Sequence, residues 1–249
     1  MKAKIEYKGK IYNIDLLKPL DISMPLKADQ SNPTAWYVNP PEFNAVMENG
    51  FIGDVNLGGS VNFRNIFFNP HGHGTHTECV GHISKEFHTI NQCLKQFFCL
   101  AKVVSISPEI NGDDSFISLE QIKKIWSANF ADALIIRTLP NNNIKLSKQY
   151  SNTNPTFIHH EAIKFLVKNG LKHILIDTPS IDKEEDGGEL LAHHAFWEYP
   201  TNTQTDRTIT ELIFVDDEII DGDYILNLQI APFENDASPS KPVLYQILA

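Results

Sequence analysis

Cysteine is scarce: Cys79, Cys93 and Cys99 are the only three. An odd, small number without paired spacing excludes a disulfide framework and fits a reducing compartment. Basic residues are also few. The chain has 21 Lys and Arg against 31 Asp and Glu, for a formal net charge of −10, and no Lys/Arg block concentrates the positive charge. Such a chain repels phosphate backbones, which argues against a nucleic-acid partner. No apolar run approaches bilayer-spanning length, so no membrane partner is expected. The first residues, Met1 to Tyr7, alternate apolar and charged side chains and lead into no apolar signal core. These absences together predict a cytoplasmic protein. Internal repeats and low-complexity segments are missing too.

What remains is an ordinary globular composition, 42% hydrophobic and 21% charged over 249 residues. That length suits one large α/β domain over residues 1–249, able to bury a core without staples. Residues 4–14 alternate around Lys8-Gly9-Lys10 and read as a hairpin. Asp21-Ile22-Ser23-Met24-Pro25-Leu26 reads as a strand end broken by proline. Residues 27–60 are rich in Asn, Pro and Gly, yet Trp36, Tyr37, Phe43 and Phe51 want burial, so the segment is an irregular functional loop rather than a linker. A strand over 61–69 follows. Short Val/Ile/Leu-rich runs at 98–107, 132–138 and 171–177 read as buried strands. Between the first two, Ser118 and Gln121 form a capping box that starts a helix with Ile122, Ile125 and Trp126 on its apolar stripe. A second helix is expected from near Pro155, with Ile158, Ala162, Phe165 and Leu166 inward and a stop at Asn169-Gly170. Residues 183–189 read as an acidic surface loop, residues 219–231 alternate again, and a last strand spans 243–248. Strand–helix–strand alternation between β-rich ends predicts a mixed α/β fold.

The chemistry concentrates in Asn69-Pro70-His71-Gly72-His73-Gly74-Thr75-His76-Thr77-Glu78-Cys79-Val80-Gly81-His82. Four of the ten histidines fall in twelve positions beside one carboxylate. On an extended chain His76, Glu78 and His82 share parity and can point to one side. Imidazole with carboxylate suits Zn²⁺ or a similar divalent ion; a His-rich surface turn that binds nothing is the alternative. Cys79 has the opposite parity and reads as a buried structural thiol.

This stretch resembles the metal-ligand pattern of the cyclase family, His-x-Gly-Thr-His-x-Asp-x-Pro-x-His, a family that includes bacterial kynurenine formamidase. Gly74-Thr75-His76 matches its centre and His82 its last ligand. Asp21 to Leu26 resembles the family's N-terminal Asp-Leu-Ser-x-Pro-Leu, and Ala133 to Thr138 its central strand ending in Arg-Thr. The run from Ala162 through Gly170 to Asp182 is similar to its Gly-turn-strand and Asp-x-x-Ser-x-Asp. Ala192-His193 and Glu211-Leu212 resemble its late His and Glu. The order is kept along nearly the whole chain. Departures are equally specific. The first His of the pattern falls on Gly72, flanked by His71 and His73; a bulge at Gly72 would let His71 serve. Glu78 replaces Asp, Val80 replaces Pro, and an insertion near residues 197–207 separates the late His and Glu.

The resemblance implies a β-rich barrel-like core with helices outside, a homodimer or homotetramer, and a small-molecule substrate. It implies that His71, His76, Glu78 and His82 hold one or two ions, Zn²⁺ or alternatively Mn²⁺. A metal-activated water would cleave an amide C–N bond, in a formamide such as N-formylkynurenine or in a cyclic amide, ester or lactone. His193, paired with Glu211, would act as general base and then acid. Trp36, Tyr37 and Phe43 are candidates to line the substrate pocket, or else to pack in the core. Arg64 and Arg137 are candidates to hold a carboxylate, or else structural ion pairs. Ser180 reads as a turn residue near the site, His159-His160-Glu161 as a polar helix face, and Asp182–Asp186 as solvated loop. A non-catalytic small-molecule-binding protein on the same fold is the competing reading, motivated by Glu78 and the displaced first histidine.

Overall fold

A computed structural model describes residues 1–128 and 130–248. In chain order, a hairpin (β1, Lys2–Tyr7; β2, Lys10–Asp15) precedes β3 (Leu20–Asp21). Two small hairpin pairs follow, formed by β4 (Glu42–Ala45), β5 (Met47–Glu48), β6 (Phe51–Ile52) and β7 (Arg64–Phe67). Then come β8 (His76–Glu78), α1 (Ile90–Cys93), β9 (Phe98–Ile106), β10 (Glu109–Asn111), β11 (Asp114–Ile117), α2 (Leu119–Ile125) and β12 (Ala133–Thr138). The second half holds β13 (Phe157–Ile158), α3 (His160–Lys168), β14 (His173–Ile176), α4 (Leu191–Trp197) and β15 (Thr208–Glu211). It closes with β16 (Gly222–Asn227), β17 (Ala237–Pro239) and β18 (Val243–Gln246).

The main sheet has nine strands in the order β17-β8-β15-β14-β12-β9-β16-β18-β3 and curls into a half-barrel. Strands β9, β12, β14 and β15 run parallel, linked by helical crossovers, and antiparallel strands extend both sides. Because successive side chains leave a strand on opposite faces, β12 divides its apolar residues between two cores. Leu134 and Ile136 pack with Ala162, Ile163, Leu166, Phe196 and Trp197 of the helical layer. Ala133 and Ile135 pack with Ile22, Val103, Leu175 and Ile213 on the other side. A strand buried on both faces reads as a continuous apolar run, which is why the sequence exposes it so clearly.

The capping box at Ser118 and Gln121 is formed as expected. The second helix, however, starts at His160 rather than near Pro155. Phe157 and Ile158 are taken instead by parallel pairing with Phe116 and Ile117, and His159 caps the helix, its Nδ1 accepting from the Glu161 N–H at 3.3 Å. The expected strand over 61–69 is shorter, and β7 pairs with β4 alone, outside the main sheet. Along this paired arm Met47, Phe51, Leu57, Phe63, Ile66 and Phe67 stay largely exposed, so Phe51 is not buried as its aromaticity suggested.

Two residues from the matched motifs, Thr138 and Asp177, prove to be structural. The Asp177 carboxylate is buried and accepts from the Thr138 N–H (2.9 Å), the Thr138 hydroxyl (2.8 Å) and Lys145 Nζ (2.7 Å). Burial pushes its carboxyl up, against the pull of Lys145 and Thr138. Arg137 is likewise spent on structure, donating to Ser105, Asp221 and the carbonyls of Asp216 and Ile219. Removing one partner of a buried ion pair strands the other, at a cost of about 3–5 kcal/mol. Lys145→Met is therefore expected to lower unfolding free energy by roughly 3 kcal/mol in a urea titration; a loss under about 0.5 kcal/mol, the range of neutral surface changes, would contradict this account of the pair.

Candidate metal centre and cavity

Strand β8 lies between β15 and β17, so His76, Thr77 and Glu78 are all fully buried. Its alternation sends Thr77 to one face, where it bonds the Thr210 hydroxyl at 2.8 Å. His76 and Glu78 go to the other, as their parity predicted. The approach to β8 explains the glycines. Gly74 has φ +149°, a conformation that L side chains rarely adopt, and its carbonyl accepts from His76 Nδ1–H at 2.9 Å. Thr75 uses its hydroxyl twice, accepting from the Met24 N–H at 2.7 Å and donating to the Leu212 carbonyl. It thereby ties the Asp21–Leu26 segment to the end of β15.

The structure places the two candidates for the displaced first histidine in different surroundings. A Cβ on Gly72 would sit 2.7 Å from Val38 Cγ2 and 3.2 Å from the Ala35 carbonyl, so no side chain fits there. His73 is turned away and satisfied: Nδ1 accepts from the Asn69 N–H at 2.8 Å and Nε2 faces the Asn39 carbonyl at 2.7 Å. His71 enters the site instead. Its Nδ1 lies 3.1 Å from Glu78 Oε2 and its Nε2 2.8 Å from Asp236 Oδ2. His82 stacks on it with ring centroids 4.3 Å apart, its own Nδ1 3.9 Å from Glu78 Oε2 and 3.3 Å from Asp236 Oδ2.

His193, in the first turn of α4, completes the cluster. Its expected partner, Glu211, is 3.9 Å from Nε2, while Glu78 Oε1 is nearer at 3.1 Å and Asp182 Oδ2 holds Nδ1 at 2.6 Å. Glu211 instead accepts from the Ile181 N–H at 3.0 Å through Oε1 and turns Oε2 to His76 Nε2 at 3.4 Å. Asp182 is thus a correction to the solvated-loop expectation. It is buried and also accepts from the backbone N–H groups of Ala192 (2.8 Å) and His193 (3.0 Å), fixing α4 and its imidazole together. The remainder of the loop, from Glu185 to Glu189, is mostly exposed.

The electrostatics follow from this crowding. Burial alone would favour neutral His71, but Asp236 and Glu78 reverse it and lift its pKa to about 10. His193 is likewise raised well above the usual histidine range: burial opposes, and Asp182 and Glu78 prevail. Burial works to raise the Glu78 carboxyl, yet His82, His193 and His71 hold it well below the usual range.

Three buried polar atoms in the cluster make no hydrogen bond of good geometry: His71 Nδ1 and Glu78 Oε2, which face each other as an ion pair at 3.1 Å, and His76 Nε2. Buried unsatisfied polar atoms are rare and call for an explanation. These three converge, and ligand atoms of His71, His76 and Glu78, and of Glu78, His82 and His193, lie within 4.8 Å of one another. Imidazole nitrogens with a carboxylate oxygen are a donor set for Zn²⁺ or Mn²⁺. The residues present therefore fit a divalent ion, with Glu78 common to both groups.

The cluster opens into a cavity of about 310 Å³ bordered by Trp36, Asn69, Ser180, Lys183, His193 and Glu211. Of the expected substrate contacts, Trp36 reaches it. Tyr37 is exposed and bonds Glu184 at 3.1 Å. Phe43 and Arg64 belong to the β4–β7 arm, opposite Ile66 and Ala45, and neither lines the cavity; Arg64 pairs with Asp54 at 3.1 Å. A larger cavity, about 590 Å³ around Cys99, Asp132 and His173, gathers none of the candidate ligands. Cys79 is buried, its thiol facing the His88 carbonyl, as the parity reading had it.

The sequence model of the cyclase family matches residues 20–183. The chain belongs to this family. It is similar to the kynurenine formamidase of Bacillus anthracis, 29% identical over 238 residues that cover 92% of this chain and 98% of that one. It also resembles the kynurenine formamidase of Bacillus mycoides, 27% identical over 240 residues covering 92% and 97%. Among solved structures, isatin hydrolase A of Labrenzia aggregata superposes with a TM-score of 0.66 at 13% identity, over 93% of this chain and 94% of that one. Beside the matched residues, Asp182 among them, the structure adds Asp236, which no motif indicated.

Asp182→Ala would leave two buried N–H groups and an imidazole without their acceptor. At about 1–3 kcal/mol for each unsatisfied donor, the metal-free protein is expected to lose at least about 2 kcal/mol in chemical denaturation, while Glu185→Ala, in the exposed part of the loop, changes it by less than about 0.5 kcal/mol. Equal small effects for both would contradict the latch.

Proposed function

We propose that the chain is a metal-dependent amidohydrolase that cleaves an amide C–N bond in a formamide or cyclic amide. The observation that carries this is the convergence of three orphaned donor atoms, from His71, His76 and Glu78, beside a cavity that also receives His193. His71, His76, Glu78 and His82 are the proposed ligands, for Zn²⁺ or alternatively Mn²⁺. A divalent ion bound there would polarise the substrate carbonyl and make water nucleophilic near neutral pH.

The chain's own residues carry the proton. Asp182 fixes the His193 ring through Nδ1 and leaves Nε2 facing the site. Glu78 helps hold His193 protonated; with that carboxylate turned to a bound ion, Nε2 would be free to take a proton as water attacks the carbonyl and to return it to the departing nitrogen. Glu211, 3.9 Å from His193 Nε2, favours the His193 imidazolium that forms as the proton is taken. Trp36 offers a flat apolar wall at the cavity, suited to an aromatic substrate such as those named for the formamidase and isatin-hydrolase relatives. The displaced first histidine motivated the reading of a non-catalytic binding protein; the position of His71 Nδ1, 3.1 Å from Glu78 Oε2, favours the enzyme reading instead.

Two wider expectations belong here. No helix among the described residues is long and apolar enough to cross a membrane, and we read the protein as cytoplasmic; membrane-fraction recovery of the native protein would contradict that. The exposed apolar side chains of the β4–β7 arm are read as the surface of a homodimer or homotetramer; a monomer by light scattering at micromolar concentration would contradict it.

The catalytic test uses protein purified without a histidine tag. Hydrolysis of N-formyl aromatic amines or cyclic amides is expected to stop on chelation and return with Zn²⁺ or Mn²⁺. His193→Ala is expected to lower kcat by about 10²–10⁴-fold with metal retained, whereas His76→Ala loses metal. Activity untouched by chelation, or full metal stoichiometry in His76→Ala, would sink the assignment.

A further inference from the structure

The displaced histidine raises a geometric question: what holds an imidazole that has left the family's four-residue spacing? The answer comes from the far end of the chain. Strand β17 pairs with β8 so that Ala237 lies opposite Glu78. The residue before it, Asp236, accepts the Cys79 N–H at its carbonyl, 3.0 Å away. Its carboxylate then reaches under the histidines, with Oδ2 at 2.8 Å from His71 Nε2 and 3.3 Å from His82 Nδ1. Gly81 packs tightly beside this segment, where a Cβ would sit 2.1 Å from the His88 carbonyl oxygen and 3.3 Å from Asp236 Cβ. Meanwhile His71 Nδ1 is buried without a hydrogen bond, near the equally unsatisfied Glu78 Oε2.

We propose that Asp236 is the positioning residue for the displaced histidine: it accepts the His71 Nε2–H and so leaves the Nδ1 lone pair to the ion, beside His76 Nε2 and Glu78 Oε2. His71 would then bind through the opposite ring nitrogen from His76. The same logic runs through the cluster. The Gly74 carbonyl holds His76 by Nδ1, and Asp182 holds His193 by Nδ1. An acceptor on one imidazole nitrogen selects the tautomer that presents the other. Asp236 performs this task from β17, and the ring it holds is turned the other way round. The inference rests on the metal reading above. Its rival is that Asp236 is itself a ligand, since its carboxylate, His71 and His82 also lie within 4.8 Å of one another.

Asparagine separates the two. Asp236→Asn keeps a side-chain oxygen able to accept from Nε2–H but loses the carboxylate; Asp236→Ala loses both. Zn²⁺ and Mn²⁺ affinities of the stripped full-length chain are measured by competition with a chromophoric chelator, with thermal unfolding of each metal-free protein alongside. Asp236→Ala is expected to bind about 10–100-fold more weakly, and Asp236→Asn to remain within a few-fold of the parent chain. Should the alanine variant fail to fold, Asp236→Leu, of similar shape and without an acceptor, takes its place with the same expected loss. An asparagine variant weakened tenfold or more makes Asp236 a ligand and overturns the proposal, as does an alanine variant that binds like the parent. A parent chain that binds neither ion overturns the metal reading first, and that outcome is distinct from either variant result.

Discussion

The Glu78 carboxylate has no exposure to water, and the rest of the site is arranged around that fact. An isolated buried carboxylate is expensive, and a protein keeps one ionised only by surrounding it with partners. Here β8 is clamped between β15 and β17, so the carboxylate cannot swing out to solvent. It is met by His193 on one oxygen and by His71 and His82 near the other. The glutamate is one methylene longer than the aspartate of the family pattern, yet it occupies the common corner of two donor groups. Even so, Oε2 has no hydrogen-bond partner. A site that gathers these carboxylates and imidazoles and still leaves three such atoms without a hydrogen bond has the donor set of a cation site.

Around this centre each imidazole is held from outside by a different part of the chain. The Gly74 carbonyl, two residues away, orients His76; Asp182 orients His193 while capping α4; Asp236 reaches His71 from the last segment of the sheet. Thr75 fastens the N-terminal Asp21–Leu26 segment to β15 at the same level. The curled sheet brings these groups together although His82 and Asp236 are 154 residues apart. Function here depends on sheet order: β8 is placed between β15 and β17, and the strands it pairs with carry Glu211 and deliver Asp236.

Features governed by local pattern were legible in the sequence. The buried strands announced themselves as apolar runs, the Ser118 capping box formed as its spacing required, and the parity of His76 and Glu78 placed both on one face. The ordered motifs fixed the family and the fold. Features set by long-range pairing were not legible. Asp182 closes the matched Asp-x-x-Ser-x-Asp, yet it heads an acidic, glycine-rich run whose composition signals solvent, so its burial against α4 was not foreseen. Asp236 lies in a stretch with no local signal at all. Phe157 and Ile158 look helical until β11 pairs with them. Phe43 and Arg64 looked available to a substrate because nothing in residues 27–60 reveals the separate β4–β7 pairing. The different surroundings of His71 and His73 were equally hidden, since His73 is held by Asn69 and Asn39 and His71 faces Glu78 and Asp236.

The most direct test is anomalous diffraction from crystals grown with Zn²⁺ or Mn²⁺, recorded at that metal's absorption edge. The account predicts a peak at bonding distance, about 2.0–2.2 Å for Zn²⁺, from His71 Nδ1, His76 Nε2 and a Glu78 oxygen. No peak in the cluster at saturating metal, or a peak held only by His82 and Asp236, would contradict it.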